Sequence, residues 1–121
     1  MDKPHKRLTV WQKAMQLVTE IYKETANLPA EERFGLVSQM RRASVSVVSN
    51  LAEGAARQSH AEFLQFINIA MGSCSELDTQ LELCFRLGYL SEHNWHKIDA
   101  SLQEIDRMLI GLRNSIRRKQ E

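Results

Sequence analysis

Several things are scarce in this chain of 121 residues. Proline occurs twice and glycine five times, so little in the sequence breaks a helix and long uninterrupted helices are expected. No apolar run approaches the ~18 residues that a membrane helix needs, and the N-terminal MDKPHKRLTVWQ is too polar for a secretory leader. Both absences point to a cytoplasmic protein without a membrane span. Cysteine is limited to Cys74 and Cys84. On one helix their separation corresponds to ~15 Å, too far to bridge, which suits a reducing compartment. Net charge is nearly missing too: the formal value is +1. Any affinity for nucleic acid must therefore come from how charge is distributed.

What is present is ordinary for a globular chain. Hydrophobic residues at 43% and charged residues at 26% argue against disorder, and the length fits one domain with its own core. Four segments carry helical periodicity. The first spans about 9–27, with Trp11, Met15, Val18 and Tyr22 at 4-3-4 spacing, and Leu28-Pro29-Ala30 ends it. The second spans about 34–57, and its Ser-Val-Ser-Val-Val-Ser run at 44–49 is helical because no turn signal flanks it. Ser59 with Glu62 has the form of a capping box opening a third helix, about 60–87, with Gly88 placed as its C′ residue. Ser91 caps a fourth, about 92–118, whose stripe of Trp95, Ile98, Leu102, Ile105, Leu109, Leu112 and Ile116 alternates three and four. Such spacing with short connections predicts an all-α, antiparallel up-down-up-down four-helix bundle.

The second helix departs from a plain amphipathic pattern. Gln39, Arg42, Ser46, Ser49 and Glu53 recur at three-and-four spacing and, with Asn50 beside them, form a polar seam parallel to the apolar stripe of Leu36, Met40, Ala43, Val47 and Leu51. A solvated surface stripe accounts for it. The small residues in and around it, Ser44, Ser49, Ala52, Gly54, Ala55 and Ala56, suit a close helix approach instead. Ser73, Glu76 and Gln80 repeat the spacing on the third helix, so the two stripes could meet within one bundle or across subunits.

Leu8 to Ala14, Gln39-Met40-Arg41-Arg42-Ala43, Asn50-Leu51-Ala52-Glu53-Gly54, Glu62-Phe63-Leu64 and Leu87-Gly88-Tyr89-Leu90 together resemble one family. It is the bacterial four-helix bundle proteins encoded in intervening sequences of 23S ribosomal RNA genes, often given a ribosomal-protein label. The family is similar to the accessory proteins of diversity-generating retroelements. The resemblance implies a pentameric barrel with basic surfaces for nucleic acid and no enzymatic activity.

Antiparallel topology gathers Lys3, Lys6, Arg7, Arg57, His60, Arg113, Arg117, Arg118 and Lys119 at one end. Glu24, Glu31, Glu32 and Glu92 collect at the other, partly offset by Arg33 and Lys97. The basic end reads either as a phosphate-binding surface or as solubilising tails that complement the helix dipole. No aromatic is interleaved with these cations, so contact is expected with phosphates and with little sequence preference.

Catalytic patterns are absent. A di-iron site needs Glu-x-x-His pairs, and none of His5, His60, His93 or His96 has glutamate three residues before it. His93 and His96 read as a polar first turn, Cys74 and Cys84 as core, and Gly72-Ser73-Cys74-Ser75 as mid-helix. There is no phosphate-binding loop. The expectation is a non-enzymatic homo-oligomeric scaffold, without cofactor or metal, that contacts RNA or DNA through its basic end. The alternative is a module that docks a partner such as a nucleic-acid enzyme without touching nucleic acid itself. Assembly would need a second apolar surface, for which Trp11, Tyr22, Phe34, Val37, Val45 and Val48 are candidates.

Overall fold

The apolar spacing of each segment becomes the buried face of one helix in a computed structural model that describes residues 1–120. Helix α1 is Thr9–Thr25, α2 Leu36–Ala55, α3 His60–Arg86 and α4 Glu92–Gln120, with short 3-10 turns at Pro4–Arg7 and Ala30–Glu32. Among the described residues there is no strand.

Local chemistry sets each boundary. α1 stops at Thr25 rather than near 27, because tighter bonds from Asn27 to Glu24 and from Leu28 to Thr25 turn the chain ahead of Pro29. α2 starts at Leu36 rather than 34. Gly35 lies outside the helical region at φ −106°, ψ −110°, and the Glu32 carboxylate accepts the Leu36 N–H at 3.3 Å. α2 also ends two residues early, as Ala56 and Arg57 donate to carbonyls three residues back. Ser59 accepts the Glu62 N–H at 3.1 Å, while the Glu62 carboxylate accepts the Ser59 hydroxyl at 3.2 Å and not its backbone N–H. Gly88 takes φ +80°, and the Tyr89 N–H reaches back to the Cys84 carbonyl at 2.9 Å to close a Schellman motif. The Ser91 hydroxyl accepts the Asn94 N–H at 3.1 Å and opens α4. α4 runs two residues past 118, its basic last turn complementing the carbonyl end.

Contacts run in reverse order along neighbouring helices. Arg42, Ser46 and Gly54 of α2 meet Glu76, Ser73 and Phe66 of α3, and Phe85, Asp78 and Met71 of α3 lie along Trp95, Gln103 and Arg113 of α4. α1 meets α2 at Arg41 and α4 at Glu104, whereas the diagonal pairs α1–α3 and α2–α4 make no close backbone approach. This is the antiparallel up-down-up-down bundle.

Leu17, Ile21, Met40, Leu51, Ile67, Leu77, Leu81, Leu102, Ile105 and Leu109 fill its axis; each buried Leu or Ile contributes ~1.5–3 kcal/mol. α2 and α3 pack closest. At Gly54 an added Cβ would lie 2.7 Å from Phe66 Cβ. Cys74 and Cys84 are buried in this core, and the Cys84 sulfur sits 3.4 Å from that of Met40. The Val-Ser run of α2 is helical, with Ser44, Val47 and Val48 buried. Ser44 back-bonds to the Arg41 carbonyl, so its burial leaves no orphaned hydroxyl.

Candidate nucleic-acid interface

The polar seam divides between the bundle and the surface. Ser46 turns toward α3: Ser73 donates to the Ser46 hydroxyl at 2.8 Å, and Asn50, one turn further along α2, donates to the Ser46 carbonyl and hydroxyl at 2.8 and 3.0 Å. The two stripes therefore meet within one bundle. Gln39, Arg42 and Glu53 are exposed. Arg42 pairs with Glu76 at 3.1 Å, and Glu53 lies 3.5 Å from Arg57. Exposed pairs of this kind contribute ~0–1 kcal/mol. Gln80, the third member of the α3 stripe, is buried, and its side-chain carbonyl has no partner among the described residues.

At the basic end, the Pro4–Arg7 turn lies against the last turns of α2, with Lys3 and Lys6 facing Ser49, Ala52 and Glu53 across an open groove. Gln12 donates to the Lys6 carbonyl at 2.8 Å, and His5 packs edge-on against Trp11 with ring centres 4.8 Å apart. Not all of the cations there are uncompensated. Arg7 pairs with Asp2 at 2.9 Å. Arg57 lies between Glu53 and Glu62, at 3.5 and 3.7 Å, with its guanidinium 5.0 Å from the centre of the Phe66 ring. Arg113 is half-buried and reaches the Met71 sulfur at 3.9 Å, its Nε without a partner among the described residues. Lys3, Lys6, Arg117, Arg118 and Lys119 are exposed and have no carboxylate partner among the described residues.

Sequence reasoning missed a second charged feature. Asp78 on α3 and Asp106 on α4 line a cleft of about 250 Å³ with Gln103, and Cys74 and Leu102 line it as well. Gln103 donates to Asp78 at 3.3 Å and to Asp99 at 3.2 Å. Burial first, and then the charge of Asp99, pushes the Asp78 carboxyl up from its ordinary value. The signal was available, because Asp99 and Asp106 are seven residues apart on α4 and share a flank. Counting charge only at the helix ends hid it. Among the described residues no group of three or more His, Cys, Asp or Glu side chains is arranged to hold a metal ion, and no helix is long and apolar enough to cross a membrane.

Residues 6–111 match the family described as 23S rRNA-intervening sequence protein. The chain belongs to this family. Its bundle is also similar to a solved structure from Bacteroides thetaiotaomicron, described as a protein of unknown function from the S23 ribosomal protein family. Identity is 27%, the alignment covers 87% of this chain and 95% of that one, and the TM-score is 0.81. No curated protein matches the chain.

In this chain the motifs that carry the resemblance have physical causes. Gly54 is where α2 and α3 touch, Leu87-Gly88-Tyr89 is the Schellman turn, and Trp11 anchors the N-terminal turn through His5. The matched span includes Lys6, Arg7 and Arg57 but stops before Arg113, Arg117, Arg118 and Lys119. The exposed cations of the α4 tail thus lie outside the matched span.

Proposed function

We propose that this chain is a non-enzymatic, cytoplasmic, homo-oligomeric scaffold, pentameric by resemblance to its family, that contacts RNA or DNA phosphates through its basic end. One observation carries the reading. Arg117, Arg118 and Lys119 occupy the last turn of α4, exposed and without carboxylate partners among the described residues, at the end where Lys3 and Lys6 also lie. An oligomer repeats this patch once per subunit and raises the local potential accordingly. The family description, which ties these genes to 23S rRNA, is in keeping with such a partner.

The test is a fluorescence-anisotropy titration with an RNA duplex and a DNA duplex of the same sequence. If five cations engage phosphates, affinity falls by a factor of about 500 between about 50 and about 200 mM salt. Replacing Arg117, Arg118 and Lys119 by alanine should weaken binding to both duplexes and flatten the salt dependence. Binding that is unchanged over that salt range overturns the phosphate reading. The second reading, a protein-docking module, is favoured by one feature, the apolar groove between α1 and α2 that exposes Met15, Tyr22 and Val45. Failure of the purified protein to bind either duplex, together with a protein partner retained after nuclease treatment, would select it.

A further inference from the structure

Past Met1, the large exposed hydrophobic residues among those described are Met15, Tyr22, Phe34, Val45, Ile69, Leu83 and Leu87, and none lies on α4. Apart from Phe34, in the turn before α2, they fall into two strips on opposite flanks of α2. In the first, Trp11, Met15, Val18 and Tyr22 share one flank of α1, and Val45 lies one turn beyond Arg41 on the facing flank of α2. The Arg41 guanidinium stands 4.5 Å from the centre of the Tyr22 ring, which shows that these flanks form one groove. The second strip is a ridge on α3, with Ile69, Glu76 and Leu83 at seven-residue spacing and Leu87 a turn further. The pairing of Glu76 with Arg42 places the ridge on the side of α3 next to α2.

Each strip contains one charged residue, and the signs are opposite. Arg41 is half-buried in the groove, and its hydrogen bonds go to neutral acceptors, the Thr25 hydroxyl at 3.0 Å and the Tyr22 carbonyl at 3.3 Å. It has no carboxylate partner among the described residues. A guanidinium withdrawn from water favours such a partner. Glu76 sits midway along the ridge, about half exposed, with one oxygen on Arg42 at 3.1 Å. A carboxylate offers roughly four acceptor positions, so it has capacity for a second arginine.

From this complementarity we infer that the α1–α2 groove receives the α3 ridge of a second copy of this chain, with Glu76 of the ridge facing Arg41 of the groove. The inference rests on the proposed homo-oligomer and adds which surfaces build it. Groove and ridge are different surfaces of one molecule, so their contact is head to tail and not two-fold. Each subunit uses its groove once and its ridge once, and the chain of contacts closes into a ring. The outer face of α4 takes no part and stays open, together with its basic last turn.

A mixing experiment on the full chain separates this arrangement from any other oligomer. Val45→Glu disables the groove and Leu83→Glu disables the ridge. Both positions are exposed, so the fold should survive, and circular dichroism melting checks it. Should either glutamate unfold the chain, Val45→Ser and Leu83→Ser make the same test in smaller steps. Light scattering should find the parent oligomeric and each variant alone monomeric. An equimolar mixture should run at the mass of two chains and no larger, because only one good groove meets one good ridge. Oligomers that persist in either variant would overturn the groove-and-ridge contact while leaving the scaffold reading standing. A mixture that stays monomeric would overturn the head-to-tail arrangement. A monomeric parent would overturn the scaffold as well, and duplex binding by the monomeric variants reports separately on the basic end.

Discussion

The Ser73 hydroxyl donates to the Ser46 hydroxyl at 2.8 Å across the α2–α3 contact, and Asn50 donates to the same oxygen at 3.0 Å. One serine oxygen thus satisfies two donors from two helices. Replacing Ser46 by alanine strands the Ser73 hydroxyl, while Asn50 keeps the Ser46 backbone carbonyl at 2.8 Å; an unsatisfied buried donor costs ~1–3 kcal/mol. Ser46→Ala should lower stability by that order in urea unfolding. The Ser46→Ala/Ser73→Ala double variant should cost less than the sum of the singles, because the second change removes one stranded donor. Strict additivity would mean that the bond contributes nothing.

Gly54 makes the opposite prediction from helix propensity. Alanine in a helix interior is favoured over glycine by ~1 kcal/mol. Here the new methyl would meet Phe66 Cβ at 2.7 Å and Phe63 Cδ1 at 2.9 Å. The Phe63 ring can move, but Phe66 Cβ is tied to the backbone, so α2 and α3 must separate. Overpacking of this kind costs ~1–3 kcal/mol, and Gly54→Ala should unfold at a lower temperature than the parent. A higher melting temperature would show that the two helices part easily.

The fold was legible because local and global signals agree. The three-and-four spacing of Trp95 through Ile116, the Ser59 and Ser91 caps and Gly88 each determine one element, and nothing in the tertiary packing opposes them. Boundaries were harder where a tertiary contact decides. Phe34 and Gly35 look like a helix start, yet Glu32 caps from the turn before and Gly35 leaves the helical region. The seam was visible as a pattern, but its division was not. Ser46 and Asn50 are half-buried while Gln39 and Glu53 of the same seam are exposed, and the rotation of α2 in the bundle decides between them. At the basic end the sequence named the cations but not their compensation. Asp2, Glu53 and Glu62 are near Arg7 and Arg57 because of how the turn and the helix ends fold.

The acidic cleft predicts a pH effect. The Asp78 carboxyl is raised in the folded chain, chiefly by burial and then by Asp99. The native state therefore holds its proton more tightly than the unfolded state, and stability falls as pH rises through the raised value. Asp78→Asn keeps an acceptor for Gln103 and removes the charge. The variant should be more stable than the parent at neutral pH, and the difference should vanish as pH falls below the ordinary carboxylate range. A difference independent of pH would assign the effect to packing rather than charge.

The two thiols give a probe of global opening. Burial pushes Cys74 up to about 12 and Cys84 up to about 11, from an ordinary 9.0, and the side chains are 3% and 1% exposed. Only the thiolate reacts readily, and neither sulfur forms it near neutral pH while covered by core. Both should therefore resist an aromatic disulfide reagent in native buffer and react together once denaturant unfolds the chain. As pH rises above 9, the unfolded state loses these protons first, so stability should decline toward pH 12 by an amount that Cys74→Ala and Cys84→Ala reduce. Those alanines leave cavities and lower stability at every pH, so the slope with pH is the quantity to compare and not the level. A parent whose stability is flat from pH 9 to the onset of backbone damage would show that the thiols ionise in the folded state as easily as in the unfolded one. Rapid labelling of one cysteine but not the other in native buffer would locate a local opening at that part of α3, its middle for Cys74 and its last turn for Cys84.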